Sequence, residues 1–386
     1  MNKIVVLASA AVLAGGCADR GIVDNSPIQT DGVNAAAVAS PGAPGLTVMT
    51  WNVYYGTDPN IVLQAQTFEE LAYYAGQAWG LAQFTNFPER AGALARAIAL
   101  QRPHLVGVQE AALWRTGDFL SPPAENVAFD FLELLTDSLH ARGLDYVVAA
   151  VDQTTDIEVP AIDPNTGLPL DVRLTDRDAV LARADVPFAE AASAAYNTDF
   201  PVPVLGMTIA IKEGWSSVVA TVGGRDYRFV STHLEVQQAL PVQAGQAHEL
   251  ITLLSGETRP TIVVGDFNSD VFGADPSAAG VSYDSMTAAG FTDRWLRPGG
   301  SPPGLTCCQN DSVSNRLSLF NQRVDFIFTR HMPTAMQAGT LATAWGIAGD
   351  QRGDRTPSGL WPSDHGGVVA TFLTPPVGPR GNVVTE

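Results

Sequence analysis

The sequence predicts a mixed α/β fold: two packed β-sheets with helices on their outer sides. Three observations carry that expectation. Apolar runs of strand length recur through the chain, among a few stretches of helical period. Of the 386 residues, 46% are apolar and 16% charged, enough to bury a large core and too apolar for a disordered chain. The 3 cysteines are too few to hold such a fold together by disulfides. Length alone would allow two domains, but nothing between residues 46 and 374 has the composition of a linker, so one domain is expected there.

From the N-terminus, residues 1–16 read as a bacterial export signal. Lys3 is the positive end, Ile4 to Leu13 the apolar stretch, and Leu13-Ala14-Gly15-Gly16 leads into Cys17. The apolar stretch is too short to cross a hydrocarbon core of ~30 Å as a helix. Small residues just ahead of a cysteine resemble a lipobox. Cys17 is therefore expected to be lipidated and to anchor an exported lipoprotein in the membrane, facing the periplasm or the cell exterior. An ordinary signal peptide with an incidental cysteine is the other reading. Residues 17–45, rich in Asp, Asn, Ser, Pro, Gly and Ala without a sustained period, are expected to form a flexible tether, and residues 375–386 a flexible tail.

Within the domain, strands are expected at Leu46–Trp51, Leu105–Val108, Tyr146–Val151, Ala179–Leu181, Val204–Ile211, Val218–Val222, Tyr227–Val230, Ile262–Val264, Val324–Phe328 and Gly367–Leu373. Helices are expected at three places. Glu89–Arg102 carries Ala91, Leu94, Ala95 and Ile98 on one face, behind Pro88 as a start signal. Ala128–Leu139 has a stripe of Phe129, Leu132, Leu135 and Leu139, and Gln243–Leu254 is the third.

The formal net charge is −18. A chain of this sign cannot rely on the Lys/Arg neutralisation of phosphates that dominates non-specific nucleic-acid binding, so nucleic acid is not the favoured partner. An acidic surface also keeps a protein soluble.

The informative pattern is where the strands stop. Trp51 runs into Asn52; Val108 into Gln109-Glu110; Val230 into Ser231-Thr232-His233; Val264 into Gly265-Asp266-Phe267-Asn268. The last strand is preceded by Ser363-Asp364-His365. One strand ending in an acid is ordinary loop solvation. Several ends carrying amides, carboxylates and imidazoles would form a site if they met at one rim of a sandwich. Oxygen-rich clusters of this kind suit a hard cation such as Mg2+. Asp325, inside an apolar strand, needs a partner to be buried at all.

Trp51-Asn52-Val53, Val108-Gln109-Glu110, Ser231-Thr232-His233, Gly265-Asp266-Phe267-Asn268, Arg323-Val324-Asp325-Phe326-Ile327 and Trp361-Pro362-Ser363-Asp364-His365 occur in the order found in the endonuclease/exonuclease/phosphatase superfamily. The chain resembles that family over roughly residues 46 to 373. The resemblance implies a four-layered α/β sandwich, two mainly antiparallel sheets flanked by helices, that hydrolyses phosphate esters with a divalent metal. Mg2+ is the expected ion, with Mn2+ or Ca2+ as alternatives.

It also implies roles. Glu110 is the metal-binding glutamate, Asn52 its companion near metal and phosphate, and Asp364 sits beside the metal. Asp266 orients or deprotonates the attacking water, and Asn268 holds a phosphate oxygen. Asp325 orients His365, which acts as base or binds phosphoryl oxygens. His233 protonates the leaving group or contacts the phosphate. Asp364 and His365 are adjacent and would face opposite ways on a regular strand, so both reach the site only if the backbone bends; for this reason Asp325 is the expected partner of His365. Tyr54 stands where abasic-site endonucleases have a second acid, which sets the chain apart from that branch.

The resulting expectation is a metal-dependent phosphoester hydrolase, diesters favoured, acting on a lipid, nucleotide or inositol-type phosphate ester. A secreted endonuclease and a non-catalytic surface lipoprotein are the alternatives. Asp266-x-Asn268-x-Asp270 begins like an EF-hand loop, but Val271 and Ser277 occupy the positions that need Gly and Glu. There is no Gly-x-Ser-x-Gly elbow, P-loop or calcineurin-type metal pattern. His104, His140, His248 and His331 are read as structural. Cys307-Cys308 is either a vicinal disulfide or two buried thiols. Arg352 or Arg355 either holds a substrate phosphate or belongs to a solvated loop.

Overall fold

The computed structural model describes residues 45–271, 280–296, 302–333 and 344–373. The stretch expected as an export signal, Cys17, nearly all of the expected tether and the expected tail lie outside them.

Two six-stranded sheets form the centre. The first runs Ala344–Ala348, Gly367–Leu373, Gly45–Asn52, Leu105–Gln109, Ala179–Arg183, Tyr146–Val151. The second runs Thr292–Asp293, Asp325–Arg330, Thr261–Asp266, Arg225–His233, Gly214–Val222, Phe188–Ala195. Each holds a parallel pair at its middle, Gly45–Asn52 with Leu105–Gln109 and Arg225–His233 with Thr261–Asp266, while the remaining pairs are antiparallel.

Alternation along these strands decides which side chains meet. Leu46, Val48, Leu105, Val180, Phe229, Ile262, Val264, Ile327, Val368 and Ala370 point between the sheets and form one buried cluster. Their neighbours point outward. Met49, Trp51, Val106, Val108 and Leu181 pack beneath helices Phe68–Phe84, Phe87–Gln101 and Phe131–His140. Val230, Val263, Phe326 and Phe328 pack beneath helices Leu240–Leu253 and Val281–Ala288. The outcome is four layers, helix–sheet–sheet–helix. Each fully buried Phe or Leu of these clusters contributes on the order of 1.5–3 kcal/mol of apolar burial. The sheets approach closely at Gly107, where a Cβ would lie 2.5 Å from the Val264 methyl and 2.8 Å from the Ser231 hydroxyl.

The expected strands and helices are present with shifted ends, and two differ in kind. Val204–Ile211 is not one strand. It is the second half of a hairpin, Phe200–Val204 and Met207–Ile211, turning at Leu205-Gly206, both with positive φ. The stretch expected as helix from Ala128 begins as strand Asn126–Asp130; the helix starts at Phe131, where the Asp130 carboxylate caps the Leu132 and Glu133 amides. Helix Phe68–Phe84 and a four-stranded accessory sheet, Asn126–Asp130, Leu113–Gly117, Pro169–Thr175 and Asp156–Ile162, were not anticipated. No helix among the described residues is long and apolar enough to cross a membrane.

Candidate active site

The alternation that builds the core also builds the site. Asn52 and Gln109 end their strands on the inter-sheet face, and in the second sheet His233, Asp266 and Asp325 do the same. Ladder register sets Asn52 beside Gln109, His233 beside Asp266, and Asp266 beside Asp325. The polar ends of both sheets therefore face each other at one rim. Gln109 ties the rim together: its Nε2 donates to Ser231 Oγ of the opposite sheet at 2.9 Å, and its Oε1 accepts from Thr50 Oγ1 at 3.1 Å.

Asp266 is the hub. Its Oδ1 accepts the Asn268 amide N–H at 2.9 Å, and its Oδ2 accepts Asn52 Nδ2 at 3.2 Å. The same Oδ2 lies 3.7 Å from Nε2 of both His233 and His365. Asp325 Oδ2 is 2.9 Å from His365 Nδ1, with both side chains buried. Asn268 Nδ2 donates to the Leu234 carbonyl at 2.8 Å and lies 3.2 Å from His233 Nε2. Strand Thr261–Asp266 can run against its neighbour because residue 265 is glycine: at φ +152°, a Cβ there would sit 1.9 Å from the Thr232 carbonyl oxygen.

Beyond the strand ends the chain turns sharply. Tyr54, Glu110 and Asn268 all have left-handed backbones, with φ of 65°, 57° and 47°. Such conformations strain non-glycine residues by of order 1–3 kcal/mol and concentrate where function holds them. The turn at 110 brings the glutamate over the rim. Its Oε1 accepts Asn52 Nδ2 at 2.7 Å and its Oε2 accepts the Tyr55 amide at 2.9 Å. Glu110, Asn268 and Asp364 are partly open to solvent, whereas Asn52, His233, Asp266, Asp325 and His365 are buried. The expected bend before the last strand is present: Ser363 Oγ donates to Asn52 O at 2.7 Å, and Trp51 Nε1 donates to His365 O at 2.9 Å. Cys307 and Cys308 form a vicinal disulfide, and Cys307 bridges the His365 backbone.

The electrostatics are lopsided. Withdrawal from water and the Asp364 charge push the Glu110 carboxyl up to about 8. Withdrawal from water likewise raises Asp364, to about 6, and raises Asp266, with Asp325 adding to it. Burial opposes charge on His365, but the Asp325, Asp266 and Asp364 carboxylates outweigh it and hold the imidazole well above its ordinary value. Burial lowers His233. The nearest guanidinium, Arg90, is fully buried and donates to the carbonyls of Thr85, Val53, Pro362 and Tyr54. It braces both loops of the site but offers no N–H to the acids. Among the described residues no Lys or Arg forms a salt bridge with Glu110 or Asp364, and their charge is offset only at a distance, by His365 and Arg90. They form an oxygen-donor pair that fits a hard divalent cation.

The sequence-expected residues Asn52, Glu110, His233, Asp266, Asn268, Asp325 and His365 therefore lie in one contact network, with Asp364 at its edge. Asn52 Oδ1 accepts the Tyr54 amide at 3.0 Å, and its nitrogen faces Glu110 and Asp266. The Gln109 bridge, the Arg90 brace and Asp178, which accepts the Glu110 amide at 3.2 Å, went unassigned. Asp178 carried a readable signal: it directly precedes an expected strand and shares the inward parity of Val180 and Ala182.

The chain matches the model of the Endonuclease/Exonuclease/phosphatase family over residues 49–365. Among solved structures it is similar to an endonuclease/exonuclease/phosphatase family protein from Leptotrichia buccalis C-1013-b, at 15% identity and TM-score 0.51, covering 85% of this chain and 100% of that one. It is also similar to a family protein from Bacteroides thetaiotaomicron, at 17% identity and TM-score 0.51, covering 86% of this chain and 98% of that one. Comparison with curated proteins gives no match.

Proposed function

The chain belongs to the endonuclease/exonuclease/phosphatase family, and from that premise we propose that it is a divalent-metal-dependent phosphoester hydrolase with a preference for diesters. The observation that carries this reading is the convergence of two imidazoles, each 3.7 Å away, on one oxygen of Asp266, beside the partly open acids Glu110 and Asp364.

Glu110 and Asp364 would hold the ion, Mg2+ by their all-oxygen chemistry. When bound, it supplies the positive charge that draws a phosphoryl oxygen into an otherwise anionic site. Asp266, held by the Asn268 amide and Asn52, is raised in proton affinity and is placed to orient a water and accept its proton. His365 stays charged against Asp325 and holds a phosphoryl oxygen. His233, neutral by burial, reaches the leaving oxygen when its proton sits on Nε2. Asn268, one of whose side-chain N–H groups is released when the His233 proton sits on Nε2, holds a remaining substrate oxygen, while Asn52 braces Glu110 and Asp266. The preference for diesters rests on charge: among the described residues the nearest guanidinium, Arg90, is committed to carbonyls and supplies no extra cation for a monoester dianion.

The test is turnover of purified protein with Mg2+ on a generic diester, a monoester, DNA, sphingomyelin and inositol phosphates. Chelation should abolish activity and metal return should restore it. Asp266→Ala and His365→Ala should each lower turnover by several orders of magnitude without loss of fold. Near-normal rates in both variants would refute the assignment.

A further inference from the structure

Behind the proposed site stands a group of acids that the reaction does not use. Asp178 precedes strand Ala179–Arg183, and Glu213 precedes strand Gly214–Val222, the neighbour of the His233 strand. One carboxylate oxygen of each and one ring nitrogen of His233 lie within 4.8 Å of one another. The three residues are 0%, 6% and 5% exposed. His233 Nδ1 approaches Glu213 Oε2 at 3.4 Å, yet neither atom makes a hydrogen bond, and nor does Asp178 Oδ2. Asp152, whose Oδ1 accepts the Asp178 amide at 2.8 Å, also leaves a buried oxygen without a hydrogen bond, as does Asp176. The neighbouring guanidinium, Arg177, is turned away, donating to the Ala111 and Ala112 carbonyls and to Asp130.

A buried carboxylate oxygen without a donor costs several kcal/mol if ionised. Two such oxygens and an imidazole nitrogen that also makes no hydrogen bond, all gathered in one place, form a ligand set. We infer that Asp178, Glu213 and His233 Nδ1 bind a second divalent cation, a first-row transition ion such as Mn2+ or Zn2+ in preference to Mg2+. The nitrogen ligand sets the choice: imidazole suits these ions, whereas Mg2+ favours oxygen donors and retained waters. The site is separate from the Glu110–Asp364 pair, and an ion there does not require the chain to be a hydrolase.

Binding at Nδ1 has a defined consequence for His233. It leaves the ring proton on Nε2, the atom that faces Asp266 Oδ2 at 3.7 Å. The Asn268 side-chain nitrogen, 3.2 Å from Nε2, donates to it only in the ion-free tautomer, so loading breaks that hydrogen bond.

The test counts Mn2+ bound per chain on the full protein, by equilibrium dialysis and electron paramagnetic resonance, in the wild type and in E110Q, E213Q, D178N and E110Q/E213Q. The wild type should bind two ions. E110Q should keep one, with a nitrogen coupling from imidazole. E213Q and D178N should each weaken that ion at least tenfold and remove the coupling. Zn2+ should raise the melting temperature of E110Q and leave that of E110Q/E213Q unchanged, a readout that does not depend on turnover. The inference is overturned if E110Q binds no Mn2+, if the nitrogen coupling persists in both E213Q and D178N, or if Zn2+ stabilises the double variant as much as E110Q. In that case Glu213 is only the ion-pair partner of His233. Loss of hydrolysis with both ions still counted would overturn the proposed function and leave this site standing.

Discussion

Replacing Asp325 by asparagine separates positioning from chemistry at the site. Asp325 reaches the proposed reaction through His365 alone, by the 2.9 Å contact from its Oδ2 to Nδ1. Both side chains are shielded from water, so solvent does not screen the pair. A buried hydrogen bond to a charged group is worth about 1.5–3 kcal/mol, which converts to a loss of about tenfold to 150-fold in kcat/KM if His365 must be charged as the transition state forms. Asparagine matches the carboxylate in shape but lacks its charge, so the fold should survive. Its loss should also move the proton equilibrium of His365 down, because Asp325 is the strongest of the carboxylates that hold it up.

The assay is kcat/KM for a chromogenic diester from about pH 5 to 10 at saturating metal. The expected result is the stated loss together with displacement of the alkaline limb to lower pH. A rate within twofold of wild type on an unmoved profile would refute the reasoning. A uniform loss at every pH would mean that Asp325 supports the fold rather than the charge on His365.

Three further outcomes follow from the same geometry. Metal affinity should rise about tenfold per pH unit between roughly pH 6 and 8, because the ion competes with the proton on Glu110, which sits at about 8; Glu110→Gln should flatten that slope in a calorimetric titration. Arg90→Met should destabilise the protein by about 3–5 kcal/mol in denaturant unfolding, since it strands four buried carbonyls, and should weaken metal binding by loosening both loops. Metal-free protein should lose thermal stability as pH rises from about 5 to 8. Glu110 and Asp152 sit at about 8 and Glu235 at about 7 in the folded state, above their unfolded values, so the native state holds more protons across that window and raising pH works against it by about 1.4 kcal/mol per unit for each such group. Added divalent cation should reverse the loss, and a melting temperature flat across the window would contradict the carboxylate shifts.

The inner layers of the fold were legible because their signal is strong: apolar runs buried on both faces, punctuated by Gly, Asp and Asn. The accessory sheet was not, because Asn126–Asp130 is largely exposed and Asp156–Ile162 is mostly half-buried and interrupted by Glu158 and Pro160. Helix Phe68–Phe84 buries mostly alanines, Ala72, Ala75, Ala78 and Ala82, so its periodicity is faint. Its start was nonetheless written in Thr67, whose side chain accepts the Glu70 amide. The hairpin at Leu205-Gly206 was hidden because the apolar run continues straight through the turn.

The site divides along the same physical line. Asn52, Gln109, His233, Asp266 and Asp325 are placed by strand parity, a two-residue period that any reader of the sequence can extend once two sheets are assumed to face each other. Glu110, Asn268 and His365 are not. The first two depend on left-handed turns past the strand ends, which no local propensity of Glu favours. The third depends on a bend fixed by partners far away in sequence, the Trp51 indole on its carbonyl and the Cys307 bridge. The rim residues supply a prepositioned acid–imidazole row, while the turn residues bring charge over it. Of these, Glu110 and Asn268 are partly open to solvent while His365 is buried, so metal and substrate meet first the residues whose placement is most strained. That order is physically sensible. The strain at residues 110 and 268 is held by hydrogen bonds from Tyr55, Asn52 and Gln243, and an ion bound by Glu110 would add to the same restraint rather than compete with it.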